Sequence, residues 1–229
     1  MKKNNILNTF ICIVLISFIS CGDMDETYRQ FIEDGEIIYV GKADSVSTRG
    51  GKERIEVSWL LLSDPKVSKY KIFWNNRADS VTGSVTKTEM VDTVRVLLNN
   101  MPENLHNFII YLYDDRGHSS IPSYVSGSSY GDFYSSTILN RTYSSITRIG
   151  TSDIQIKWNT APGGLVKSEV SYVDTAGETI TEVIPNDVEA SILNNFPVGG
   201  TFEYKSAYLP EPEALDIFYT PVRAVTIDN

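Results

Sequence analysis

Histidine and cysteine are scarce in this chain: of 229 residues, two are His and two are Cys. That scarcity excludes a Cys-rich zinc module and a disulfide framework, since both need clusters of such side chains. Positive charge is also short. Twenty Lys and Arg stand against 29 Asp and Glu, a formal charge of −9, so attraction to DNA, RNA or an anionic bilayer face is disfavoured. The main apolar run, Ile6 to Ile19, falls short of the roughly 20 residues that a spanning helix needs. No helical period persists beyond a turn or two. What is present is a globular composition, 41% hydrophobic with 13 Tyr, at a length that allows one large domain or two of roughly 100 residues.

Lys2-Lys3 ahead of the apolar run reads as a bacterial export signal over residues 1–20. The run ends in Phe18-Ile19-Ser20-Cys21-Gly22, a small residue directly before Cys. This resembles a lipobox, cleaved ahead of a diacylated cysteine, with Phe18 in place of the usual Leu. Cys12 lies in the part to be discarded, which leaves Cys21 as the remaining thiol. Cleavage leaves 18 basic against 29 acidic residues, or −11. The expectation is an acidic body held to a membrane by a lipid on Cys21, with 21–39 as tether. Gly22-Asp23-Met24-Asp25-Glu26 resembles the acidic signal that sends Bacteroidetes lipoproteins to the outer face of the outer membrane. An outer-membrane, cell-surface location is therefore expected.

Sliding the chain on itself exposes a repeat. Leu98-Asn99-Asn100-Met101-Pro102 recurs as Leu193-Asn194-Asn195-Phe196-Pro197, and Ile55-Glu56-Val57-Ser58-Trp59 recurs as Ile154-Gln155-Ile156-Lys157-Trp158. Each copy continues with alternating segments, Tyr70, Ile72 and Trp74 in the first and Val170 and Tyr172 in the second, as half-buried strands do. Two all-β modules are expected, at 40–126 and 146–229, joined by a linker at 127–145.

The strand order resembles fibronectin type III modules, whose second strand carries a buried Trp and whose sixth begins at a tyrosine corner. His106 and Phe202 stand at the corner positions, so the usual hydroxyl bond is not expected; the sandwich reads as an immunoglobulin-like relative. The segments Phe31–Tyr39, Trp74-Asn75-Asn76-Arg77, Tyr130-Gly131-Asp132-Phe133-Tyr134 and Asp216-Ile217-Phe218-Tyr219 resemble a Bacteroidetes lipoprotein family, domain of unknown function 4998. That resemblance implies no activity, cofactor or site residue.

Strand parity assigns faces. With Trp59, Tyr70, Ile72, Trp74, Phe108, Ile110 and Leu112 pointing inward, Phe73, Ile109, Tyr111 and Tyr113 point out as one apolar patch. The matching positions of the second copy are Glu169, Ser171, Glu203 and Lys205, an ordinary solvated face. A patch on one copy needs a cover: the N-terminal segment, the linker, the other module or a ligand. The aromatic linker follows that sheet and is expected to fold back over it. Its Tyr130, Phe133 and Tyr134 are expected at an interdomain seam, with stacking on sugar rings as the alternative.

Catalytic signals are weak. Neither His106, on an inward parity, nor His118, in a solvent-facing turn, has a Ser or Cys partner at a recognisable spacing. Asp114-Asp115 lacks the spaced oxygen ligands of a calcium loop. Glu211 and Glu213 fall in a Pro-flanked loop outside any evident cleft, which argues against glycosidase carboxylates. No metal or cofactor is expected. Asp44-Ser45-Val46, Asp79-Ser80-Val81, Asp92-Thr93-Val94 and Asp174-Thr175-Ala176 resemble the phylum's O-glycosylation site, making Ser45, Ser80, Thr93 and Thr175 candidates. The same tripeptides also suit turns entering strands. The sequence therefore points to a non-enzymatic surface lipoprotein that captures extracellular glycan or polymer, or alternatively to a spacer or partner-binding subunit of an outer-membrane uptake complex.

Overall fold

The computed structural model describes residues 40–62, 66–86, 88 and 91–228. Cys21, the acidic cluster after it, the export signal and the tether lie outside these residues. The described chain folds into two β-sandwiches. In the first, β1 (Asp44–Gly51), β2 (Arg54–Leu61) and β5 (Asp92–Asn99) form one sheet in the order β1-β2-β5. The facing sheet runs β4 (Asp79–Ser84), β3 (Val67–Trp74), β6 (Asn104–Asp114), β7 (Ser123–Ser129). The second sandwich repeats the scheme. Its first sheet holds β8 (Tyr143–Ile149), β9 (Asp153–Trp158) and β12 (Ala190–Leu193). Its other sheet is built of β10 (Leu165–Val173), β11 (Thr179–Pro185), β13 (Thr201–Tyr208), β14 (Phe218–Tyr219) and β15 (Arg223–Thr226), the last two sharing one edge of β13. Both sandwiches are all-β and fibronectin type III-like.

The alternating strands bury the sides that parity assigns. Trp59, Ile72, Phe108, Ile110 and Leu112 are all buried in the first core, with Tyr70 and Trp74 packed at its margin. Ile154, Ile156, Trp158, Val170 and Tyr172 occupy the second. The linker is shorter than expected at both ends. Gly127–Ser129 pair within β7 against Asn104–His106, and Tyr143–Ser145 begin β8, so the connection runs over 130–142 and contains one short helix, α1 (Asp132–Thr137).

The repeated Leu-Asn-Asn motif has a backbone cause. Asn100 and Asn195 both take left-handed conformations, with φ of 56° and 51°, a region that Asn enters more readily than most residues. The chain reverses there and drives Met101 or Phe196 into its core. The missing corner tyrosines are compensated differently in each copy. The His106 ring nitrogen lies 2.8 Å from the Pro102 carbonyl four residues back. In the second copy the Tyr172 hydroxyl, from the neighbouring β10, donates to the Asn194 carbonyl at 3.0 Å.

The two Trp environments differ in one atom. Trp158 Nε1 donates to Ser191 Oγ at 2.9 Å. Ser191 stands opposite Ile156, and the equivalent place opposite Val57 holds Val96. Accordingly, the buried Trp59 indole N–H has no hydrogen-bond partner among the described residues.

Candidate functional site

Register places four rows of side chains on the outer face of the β4-β3-β6-β7 sheet. Ser84, Lys69 and Tyr113 form one row, and Thr82, Lys71 and Tyr111 the next. Ser80, Phe73, Ile109 and Tyr124 follow, with Asn107 and Ser126 beyond them. Directly opposed residues in a ladder share a face, so the grouping follows from backbone pairing. The predicted quartet Phe73, Ile109, Tyr111 and Tyr113 is thus assembled on one surface, half-buried by its own neighbours. Phe73 and Tyr111 meet edge to face at 6.1 Å, and Tyr111 and Tyr113 lie 6.5 Å apart. Tyr124 stands 67% exposed beside them.

The linker does not fold over this face, contrary to the sequence expectation. Tyr130 and Tyr134 instead pack against Phe218 of the second sandwich, with centroids at 6.2 and 5.1 Å, and against each other at 5.3 Å. The reason is backbone pairing: Tyr130 exchanges hydrogen bonds with Gly51 and Glu53, which ties the start of the linker beside the end of β1. The next turn is fixed by Glu103, whose carboxylate accepts the backbone N–H groups of Phe133 and Tyr134. Phe133 itself points to solvent, 75% exposed, so two of the three linker aromatics join the seam.

Sequence reasoning missed the cations of the outer face. Lys71 Nζ lies 4.6 Å from the Phe73 ring centroid, and the Arg77 guanidinium lies 5.8 Å from Phe73 and 5.7 Å from Tyr111. An Arg77 terminal nitrogen also donates to the Tyr111 hydroxyl at 2.9 Å. Parity alone locates Lys69 and Lys71; Arg77 is placed by an unusual turn. Asn75, Asn76 and Arg77, between β3 and β4, have φ of 49°, 53° and 68°. Asn enters this region readily, but an Arg held there costs about 1–3 kcal/mol and persists where the surroundings demand it. Here these conformations swing Arg77 back across the aromatic row. A hollow of about 250 Å³ opens beside it, between Phe73, Arg77, Ile109, Asn107, Tyr124 and Ser126.

The corresponding face of the second sandwich is electrostatically closed. Glu169 sits between Lys167, at 2.8 Å, and Lys205, at 3.2 Å. The Lys167 contact, aided by Lys205, holds the Glu169 carboxyl below its ordinary range.

The seam is both polar and aromatic. Arg54 grips Asp216 through two guanidinium nitrogens, and Asp216 also accepts the Lys52 backbone N–H at 2.7 Å. The Arg54 bond holds the Asp216 carboxyl below its usual range and raises the guanidinium in return. Glu211 accepts the Gly50 N–H at 2.7 Å. It is therefore half-buried in the seam rather than in a free loop. Gly50 and Gly51 permit this approach, because a Cβ at Gly51 would collide with the Asp216 carboxylate and one at Gly50 with the Ser128 carbonyl. Burial, assisted by Glu211, pushes the Tyr130 phenol up.

The remaining sequence candidates have structural explanations. His118 is not a free turn residue: its Nδ1 lies 2.7 Å from the carboxylate of buried Asp114, which also accepts the backbone N–H groups of Arg116 and His118. Burial works to raise the Asp114 pKa, but these bonds outweigh it and the carboxyl lies below its ordinary value. Its oxygens are thus committed to the turn. Among the described residues no group of His, Cys, Asp and Glu is arranged to hold a metal ion, and no helix is long and apolar enough to cross a membrane. Ser45, Ser80, Thr93 and Thr175 are all exposed.

Solved structures to which the chain is similar include the FN1–FN3 domains of chicken CNTN1, 11% identical with a TM-score of 0.44, covering 85% of this chain and 67% of that one. A segment of two fibronectin type III domains from chicken tenascin is 11% identical with a TM-score of 0.33, covering 82% of this chain and 99% of that one. No curated protein matches the sequence. The model of a family described as a domain of unknown function, DUF4998, matches residues 21–218, and the chain belongs to that family.

Proposed function

We propose that this protein is a non-enzymatic, lipid-anchored component of the bacterial cell surface that captures extracellular glycan or a related polymer. The observation that carries the reading is the outer face of the first sandwich, where Phe73, Tyr111, Tyr113 and Tyr124 stand outside either hydrophobic core. The corresponding face of the second sandwich carries Glu169, Ser171, Glu203 and Lys205 instead of an aromatic row, so the rings are not a general feature of this sheet. Aromatic rings with hydroxyl and amide neighbours suit the C–H faces of sugars. The anchoring half of the reading rests on the lipobox-like segment ending at Cys21, the residue at which the family match begins. In that setting Ser45, Ser80, Thr93 and Thr175 are accessible O-glycosylation acceptors.

The seam favours a second reading, a spacer or partner-binding subunit of an outer-membrane uptake complex, because Arg54–Asp216 and the Tyr130, Tyr134 and Phe218 rings tie one sandwich to the next. Binding of the solubilised protein to a panel of immobilised polysaccharides separates the two: retention supports glycan capture, and capture of outer-membrane proteins without retention supports the subunit. Location is tested independently. Protease added to intact cells should remove the protein, and Cys21→Ala should release it from membranes. Protection until lysis would refute surface exposure.

A further inference from the structure

The outer face of the first sandwich is unusual in charge as well as in aromatic content. Every outward position in its central rows is aromatic, aliphatic, hydroxyl, amide or cationic: Lys69, Lys71, Phe73, Ile109, Tyr111 and Tyr113, flanked by Ser80, Thr82, Ser84 and Tyr124. None is Asp or Glu, in a chain with 29 acids against 20 bases. Lys69, Lys71 and Arg77 form no salt bridge among the described residues; Lys71 and Arg77 lie over rings instead. The second sandwich shows the ordinary arrangement, with Glu169 between Lys167 and Lys205. The turn supplying Arg77 holds three consecutive non-glycine residues at positive φ, so its position is maintained against backbone strain.

We infer that this face docks an acidic polysaccharide, specifically one built of uronate residues. A pyranose lying flat on Tyr113, or on the face of Tyr111 turned from Arg77, contacts the ring through its C–H groups. An equatorial carboxylate then projects from the sugar's edge, towards Lys71 and Arg77. The planar guanidinium matches a carboxylate through paired N–H groups, and Arg77 spends one nitrogen on the Tyr111 hydroxyl, leaving its other donors for a ligand. Tyr111 and Tyr113, tilted by 37° with centroids 6.5 Å apart, offer adjacent rings to successive sugars, while Phe73 meets Tyr111 edge to face and holds Lys71 beside them. The hollow by Asn107, Tyr124 and Ser126 provides amide and hydroxyl groups at one end. Local cations also let an acidic protein accept an acidic polymer, because at 0.15 M salt charges beyond about 8 Å are screened. This inference rests on the proposed glycan capture and assigns its site and sugar class.

The test is calorimetric titration of the detergent-solubilised full-length protein with polygalacturonate, dextran, dextran sulfate and polyglutamate. Polygalacturonate should bind best. Tyr111→Ala, Phe73→Ala and Arg77→Ala should each weaken it at least ~10-fold, as expected for central residues of a contact, while Lys205→Ala on the second sandwich leaves it unchanged. Near-ultraviolet dichroism checks folding, and Arg77→Gln supplies a variant that preserves side-chain bulk. Equal affinity for dextran sulfate or polyglutamate would reduce the site to generic charge and overturn the inference. So would preference for dextran, or unchanged affinity in folded Arg77 and Tyr111 variants; polysaccharide capture itself would then stand. Binding to none of a wider polysaccharide panel would remove both readings.

Discussion

Phe218 offers a direct measure of how strongly the sandwiches are coupled. It is buried, 4% exposed, and receives Tyr134 edge-on at 5.1 Å and Tyr130 at 6.2 Å. Replacing it with Ala removes a large ring from a packed site, which costs about 3–5 kcal/mol where the surroundings cannot collapse. That loss should fall unevenly. The second sandwich carries Phe218 on β14, hydrogen-bonded to β13, and loses most of it. The first loses only the edge-on contact through Tyr130, about 0.5–1.5 kcal/mol for an aromatic pair. Hydrogen exchange read by mass spectrometry on peptides covering β2 and β9 reports the opening of each core. Phe218→Ala should reduce protection of β9 far more than that of β2. Equal losses would mean that the sandwiches open as one cooperative unit, refuting the reasoning; no loss in either would refute the packing of the ring.

The two Trp residues predict parallel but separate effects: Trp59→Ala and Trp158→Ala should each cost about 3–5 kcal/mol in their own sandwich, measured by urea unfolding with the same exchange readout. The unpaired Trp59 indole predicts that Val96→Ser costs about 1–2 kcal/mol less than Val57→Ser, because a hydroxyl at 96 meets an N–H whose lost hydrogen bond is of that size; equal costs would disprove the comparison with Ser191. At the seam, Asp216 is held below its unfolded pKa, so its contribution is complete above the unfolded value of about 4 and disappears as pH falls through the lower folded value. For a pair this open to water the contribution is at most about 1 kcal/mol. Stability measured from pH 6 to pH 2 should therefore fall less in Asp216→Asn than in the unaltered protein, and an identical fall in both would exclude the linkage.

The periodicity-two strands, the repeat and the inward parity of Trp59, Ile72, Phe108 and Ile110 are legible in the sequence because they depend on neighbours along one strand. A buried face must alternate with an exposed one whatever lies across the sheet. For the same reason the outward grouping of Phe73, Ile109, Tyr111 and Tyr113 is readable before any contact is known, as are Lys69 and Lys71 once charge is read with the same parity. The Leu-Asn-Asn repeat likewise carries its own turn. The course of the linker is different. Tyr130 is drawn to Gly51 and Glu53 by backbone pairing between segments about 80 residues apart, and the seam needs Gly50 and Gly51 to admit Glu211 and Asp216. Arg77 reaches the aromatic row only through three left-handed residues whose strain is sustained by the surrounding fold. Pattern along the chain determined which side chains face out; long-range pairing and backbone handedness, which leave no periodic trace, decided which of them meet.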